Sequence, residues 1–157
     1  MIYFVIPGEP KAKQRPRLGK WGAYTPKMTV QYENWVKQCW AEQGNLWFTG
    51  EIKATITAYF GIPKSTSKKK KEEMLLGKIK CTKKPDTDNI AKIVLDSLNG
   101  IAYKDDSQIV ELHVFKKYSE EPKVVVEFEG FVFNPPCVGT ELSYADLDTE
   151  HRSYIVP

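Results

Sequence analysis

The chain has 157 residues, of which 41% are hydrophobic and 27% charged, with a formal net charge of +3. This size suits one domain with a real core, and the longest apolar runs, IYFVI and VVV, are far too short to span a bilayer. Cys39, Cys81 and Cys137 form no CxxC pair, which argues against a disulfide framework and a zinc site.

IYFVIPG, from residue 2, reads as a short first strand ending at Pro7-Gly8. The start of the chain lacks a basic segment followed by a small-residue cleavage site, so the expectation is a cytoplasmic protein without a signal peptide. Residues 9–27 are rich in Gly and Pro and read as a loop or loose hairpin. A helix follows over residues 25–44, with Thr25 as its N-cap candidate, Pro26 at its first position and Gly44 at its end. Tyr32, Trp35, Val36, Cys39 and Trp40 recur there at helical spacing and read as core.

Residues 51–60, EIKATITAYF, alternate as a strand that places Ile52, Ala54, Ile56, Ala58 and Phe60 on one face. A lysine-rich helix follows over 65–77, with Ser65 or Ser67 as cap. The next helix, DTDNIAKIVLDSLNG, turns Ile90, Ile93, Val94 and Leu98 inward and ends at Gly100. Residues 108–118 and 123–133 read as two strands joined at Ser119–Pro122 in an antiparallel hairpin. There is no internal repeat. The order β, loop, α, β, α, α, β, β predicts an α/β fold, a mixed β-sheet with helices packed on it.

Charge divides the chain in two. Residues 1–130 hold 22 basic and 16 acidic residues. Beyond them Arg152 faces Glu141, Asp146, Asp148 and Glu150. A basic domain over 1–130 and an acidic C-terminal extension over 131–157 are expected, the extension docking on the domain or on a partner. A basic domain suits a polyanion such as nucleic acid. The segment from Pro10 to Tyr32 sharpens this, with Lys11, Lys13, Arg15, Arg17, Lys20 and Lys27, no acid before Tyr32, and Trp21 and Tyr24 interleaved. Cations beside aromatic faces suit a phosphate backbone and an unstacked base; a solvated loop is the plainer reading. The lysines between Lys64 and Lys84 read chiefly as a solvated face.

Carboxylates cluster in KPDTDNIAKIVLD and YKDDSQ. Asp86 and Asp88 stand two apart at a helix start, and Asp105 and Asp106 precede a strand. If the sheet brings the two segments side by side, their oxygens suit Mg²⁺, which takes carboxylates and keeps several waters, and such a site activates water against a phosphoryl group. Lys92, one turn inside the helix, then stabilises charge building on the phosphate or leaving oxygen. The competing reading makes an Asp a helix cap, the KDDS turn ordinary surface, and Lys92 a surface partner of Asp88 or Asp96 worth about a few tenths of a kcal/mol. His113 and His151 show no shared site, and no GxxxxGK[ST] phosphate loop is present.

KPDTDNIAKIVLDSLNGIAYKDDSQIVELHVFKKY closely resembles the signature of the RusA-type Holliday junction resolvases of bacteria and their phages, and IPGEPKAKQRPR resembles that family's N-terminal segment. The resemblance covers residues 2–17 and 84–118. It implies a RusA-like mixed-sheet α/β homodimer that cuts four-way DNA junctions with Mg²⁺ or Mn²⁺. Carried over by motif position, Asp86, Asp88 and Asp106 are the metal-binding carboxylates, with Asp105 adjacent to them, and Lys92 is the essential lysine. Closed twofold symmetry suits two opposed cuts. The alternatives are a DNA-binding protein without catalysis and a less selective flap or branched-DNA nuclease.

Overall fold

The computed structural model describes residues 1–133 apart from Trp21 and Asn45. The acidic extension from residue 134 onward, His151 included, lies outside the described residues, and so does Trp21. Residues 131–133 belong to the last strand of the sheet.

The centre of the fold is a long strand, β4, Trp47–Gly61. Its even-numbered residues from Ile52 to Phe60 are all buried, as the alternation predicts, because one face of the sheet is covered by helices. β4 begins earlier than expected, at Trp47. Its pairing shifts between Thr49 and Ile52, where Gly50 adopts φ +74. The opposing Gly130 leaves a side chain little room: a Cβ there would stand 3.0 Å from the Glu51 carbonyl oxygen.

Around β4 the strands take the order β1-β6-β4-β5. β1 (Ile2–Pro7) pairs antiparallel with β6 (Lys123–Phe133), and β6 pairs antiparallel with β4. β5 (Ile109–Ser119) pairs parallel with β4, from Ile52↔Ile109 to Gly61↔Ser119. The sheet is therefore mixed, as expected, but the expected β5–β6 hairpin does not form. The turn from Ser119 to Pro122 carries the chain across the end of β4, and the two strands pair on its opposite sides. A sequence shows that two strands are joined by a short turn, not that a third slots between them. β4 does so because both of its edges find partners and its apolar face lies at the centre of the core.

Residues 17–24 form the loose hairpin, β2 (Arg17–Gly19) with β3 (Gly22–Tyr24). Helix α1, Lys27–Ala41, is preceded by Pro26 in the cap position instead of Thr25; the Pro26 carbonyl accepts from the N–H groups of Thr29 and Val30. Val36, Cys39 and Trp40 are buried, whereas Trp35 is 37% exposed and donates its indole N–H to the Pro7 carbonyl at 3.1 Å. Helix α2, Lys68–Leu75, starts after Ser67, and its lysines 68 to 70 are exposed. Helix α3, Thr87–Leu98, carries the predicted inner face: Ile90, Ile93, Val94 and Leu98 are each at 0% exposure. It lies in the β4–α2–α3–β5 crossover that parallel strands require. An edge-to-face cluster of Phe4, Trp40, Phe48, Tyr103 and Phe128 ties α1 and the connection after α3 to the sheet.

Candidate active site

Helix α3 carries two faces with different tasks. One buries Ile90, Ile93, Val94 and Leu98; the other presents Asp88, Lys92 and Asp96 at i, i+4 and i+8. Beside that second face runs the start of β5, and the two enclose an open cleft of ≈ 410 Å³. Asp88, Lys92, Asp96 and Asp106 rim it, over an apolar floor that includes Ala91, Leu95, Leu112 and Val114. The parallel pairing of β5 with β4 brings the DD turn alongside α3, the condition on which the sequence argument depended.

Asp86 occupies the N-cap position of α3 with extended backbone, yet its side chain makes no capping hydrogen bond. It faces a neighbouring cleft of ≈ 570 Å³, together with Lys11, Lys84 and Asn89. Asp88 stands in the first turn, where the helix dipole favours a negative charge. Among the described residues, Asp86, Asp88 and Asp106 have neither an ion pair nor a side-chain hydrogen bond, and Lys92, exposed, forms no ion pair with Asp88 or Asp96. Neither capping nor surface pairing accounts for this set of charges.

Asp105 and Asp106 are neighbours with different surroundings. Asp105 caps a short 3-10 helix, Asp106–Gln108: its Oδ1 accepts from the Ser107 N–H at 2.9 Å, and the Ser107 side chain first, then this backbone bond, hold its carboxyl below the usual range. Gln108 closes the capping box, its Oε1 accepting from the N–H groups of Lys104 and Asp105. The Gln108 amide also donates to the Gly50 carbonyl at 2.9 Å. The turn is thereby fixed to β4, with Asp106 exposed at the cleft. Beneath it the buried Tyr103 donates its hydroxyl to the Leu95 carbonyl at 2.8 Å; burial, then the charges of Asp106 and Asp96, push that phenol up.

The basic arm is not uniform. Lys11, Arg15, Arg17 and Lys20 are exposed, but Lys13 points inward. Its Nζ stands 2.5 Å from Asp96 Oδ2 and 3.2 Å from Glu33 Oε1, and its backbone N–H donates to the Asn89 carbonyl at 3.2 Å. Burial opposes the Lys13 charge, but the bonds to Asp96 and Glu33 outweigh it and raise its pKa. Sequence reading missed this pairing because the partners are 83 positions apart. The only advance signal was Asp96 on the face of Lys92.

The sequence matches the family of the endodeoxyribonuclease RusA over residues 7–129. The chain belongs to the RusA endodeoxyribonuclease family. It is also 41% identical over 132 residues, 80% of this chain and 93% of the other, to a Bacillus subtilis (strain 168) protein named "Uncharacterized protein YqaN". The stretch matched to the RusA family runs from the end of β1 into β6, and so contains the arm, both acidic segments and the whole cleft. The fold is the mixed-sheet α/β architecture expected of a RusA-like protein, and membership supports an endonuclease acting in Holliday junction resolution. No described helix is long and apolar enough to cross a membrane.

RusA-type chemistry raises the question of a divalent ion. Among the described residues no three carboxylate, His or Cys side chains stand close enough to form a ready cage. Asp88 and Asp106 nonetheless offer unengaged carboxylate oxygens on one cleft, and Mg²⁺ is commonly held through one or two carboxylates with waters completing its shell. The donor chemistry fits that mode.

Proposed function

We propose that this chain is a divalent-metal-dependent endonuclease that resolves four-way DNA junctions in recombination and repair. The observation that carries the reading is the cleft itself: Lys92, with no ion pair among the described residues, flanked by Asp88 and Asp106, whose carboxylates are likewise unengaged among them. Asp88 and Asp106 would hold Mg²⁺ or Mn²⁺, with Asp86 two residues before Asp88 at the start of α3, facing the adjoining cleft. When bound, such an ion activates water and offsets phosphoryl charge. Lys92 places an ammonium where charge develops on the scissile phosphate or leaving oxygen. Asp105 acts through the turn, fixing Asp106 in position.

Lys11, Arg15, Arg17 and Lys20 contact phosphates on either side of the cut, supplying affinity without sequence information. The working unit is a homodimer, whose twofold axis sets two identical clefts against opposed strands of the junction. Its substrate places the activity in the cytoplasm. The test is single-turnover cleavage of a four-way junction by Lys92→Ala, with binding measured in parallel in Ca²⁺. The proposal expects a rate lower by about a hundredfold or more with binding retained, since losing one aimed charge costs several kcal/mol of barrier. A wild-type rate would return Lys92 to the solvated surface.

A further inference from the structure

Lys92 has a carboxylate one turn away on each side, Asp88 before it and Asp96 after it, the spacing at which charged pairs form on a helix. In the reading above Asp88 faces the cation. Asp96 has no such task, lines the same cleft, and is the carboxylate that would draw the Lys92 ammonium away from a phosphate. In the structure it does not, because a different lysine holds it.

We propose that Lys13 is a positioning residue that sequesters Asp96 and so keeps Lys92 free for the substrate. The inference rests on the proposed role of Lys92. Four observations carry it. The Lys13–Asp96 contact is short, 2.5 Å, and only 29% and 21% of the two side chains are exposed, so it is no loose surface pair. Lys13 is fixed at both ends: its N–H bonds Asn89 and its Nζ bonds Asp96, residues that stand seven apart on α3 and bracket Lys92. Glu33 of α1 supports the ammonium from the other side at 3.2 Å. Meanwhile Lys92, with two carboxylates at pairing distance in sequence, forms an ion pair with neither among the described residues.

The geometry has an electrostatic corollary. Lys13 neutralises a carboxylate that otherwise faces the phosphate across the cleft, where like charges repel. Removing Lys13 therefore harms the site twice, by tying up Lys92 and by leaving a negative charge uncompensated. Removing Asp96 as well cures both. A phosphate-binding Lys13 behaves differently, because deleting Asp96 cannot restore a lost phosphate contact.

The experiment compares wild type, Lys13→Met, Asp96→Asn and the double variant, each confirmed folded by thermal melting. Two rates are read: labelling of the Lys92 amine by an amine-reactive ester, located by mass spectrometry, and single-turnover cleavage of a four-way junction. Lys13→Met should slow Lys92 labelling by about twofold, the strength of a helix ion pair, and slow cutting by about fivefold with the added repulsion. Asp96→Asn alone should stay near wild type in both, since the amide oxygen still accepts from Lys13 and Glu33 still pairs with it. The double variant should recover both rates to within about twofold of wild type. A double variant no better than Lys13→Met, or an Asp96→Asn that by itself abolishes cutting, overturns the inference. Labelling is read without catalysis, so a wild-type protein that cuts nothing would defeat the nuclease reading while the labelling pattern still decides the role of Lys13.

Discussion

Two adjacent aspartates show how far a residue's type falls short of its role. Asp105 is a cap and Asp106 is not, and only the path of the turn separates them. Asp105→Ala should therefore destabilise the protein by about 1 kcal/mol, as losses of caps do, and slow cutting by releasing the turn. Asp105→Asn should keep both properties, because an amide oxygen still accepts from the Ser107 N–H; thermal melting and a cleavage time course check this together. Asp88 should give the reverse pattern. Its carboxylate has no hydrogen-bond partner among the described residues, so Asp88→Asn should lose less than about 1 kcal/mol, the worth of a charge near the helix dipole, keep junction binding, and abolish cleavage in Mg²⁺. An Asp88→Asn that cuts at the wild-type rate and melts several degrees lower would show a structural role instead. The sequence identified these acids as a group. It left open which were engaged, because that depends on hydrogen bonds made by the folded turn.

At the scale of elements, periodicity served well where one face is buried and poorly where partners are distant in sequence. The inner face of α3 and the alternation of β4 were legible because burial imposes periods of 3.6 and 2. The β5–β6 connection was not, since a four-residue turn reads as a hairpin whether or not another strand lies between its arms. The arm between β1 and α1 shows both outcomes. Its charge was plain from the sequence, but its attachment was not: Pro10 is buried, and Lys13 ties the segment to α1 and α3 while Arg15 and Arg17 remain exposed. Replacing Arg15 and Arg17 together with Ala should weaken binding to branched and linear DNA alike. In a salt titration the slope of log K against log salt should flatten by about two units, the loss of two phosphate contacts. An unchanged slope would mean that the hairpin end of the arm points away from DNA.

For the whole molecule, the helix–sheet interface contains ionisable groups that set an alkaline limit. Burial raises the Tyr32 phenol from 10.0 to about 12, and Tyr103 is raised as well, by burial and then by Asp106 and Asp96. Both are neutral in the folded state at pH values where the unfolded chain ionises. Their contribution is complete below about pH 10 and is lost as pH rises toward 12. The raised Lys13 acts in the same direction, its stabilising charge present at neutral pH and lost in alkali. Denaturant unfolding from pH 9 to 12 should show falling stability, with a shallower fall in Tyr32→Phe; equal slopes would contradict the burial argument for Tyr32.

The central claim is that one cleft, formed where α3 meets the start of β5, cuts branched DNA with the help of a divalent ion. The most direct measurement incubates the protein with an immobile four-way junction and with a linear duplex of matched sequence, each in Mg²⁺ and in EDTA. The account predicts paired, symmetric nicks in the junction in Mg²⁺, little cutting of the duplex, and none of either in EDTA while binding persists. Junction binding with no cleavage in Mg²⁺ or Mn²⁺, or cleavage that continues undiminished in EDTA, would contradict it.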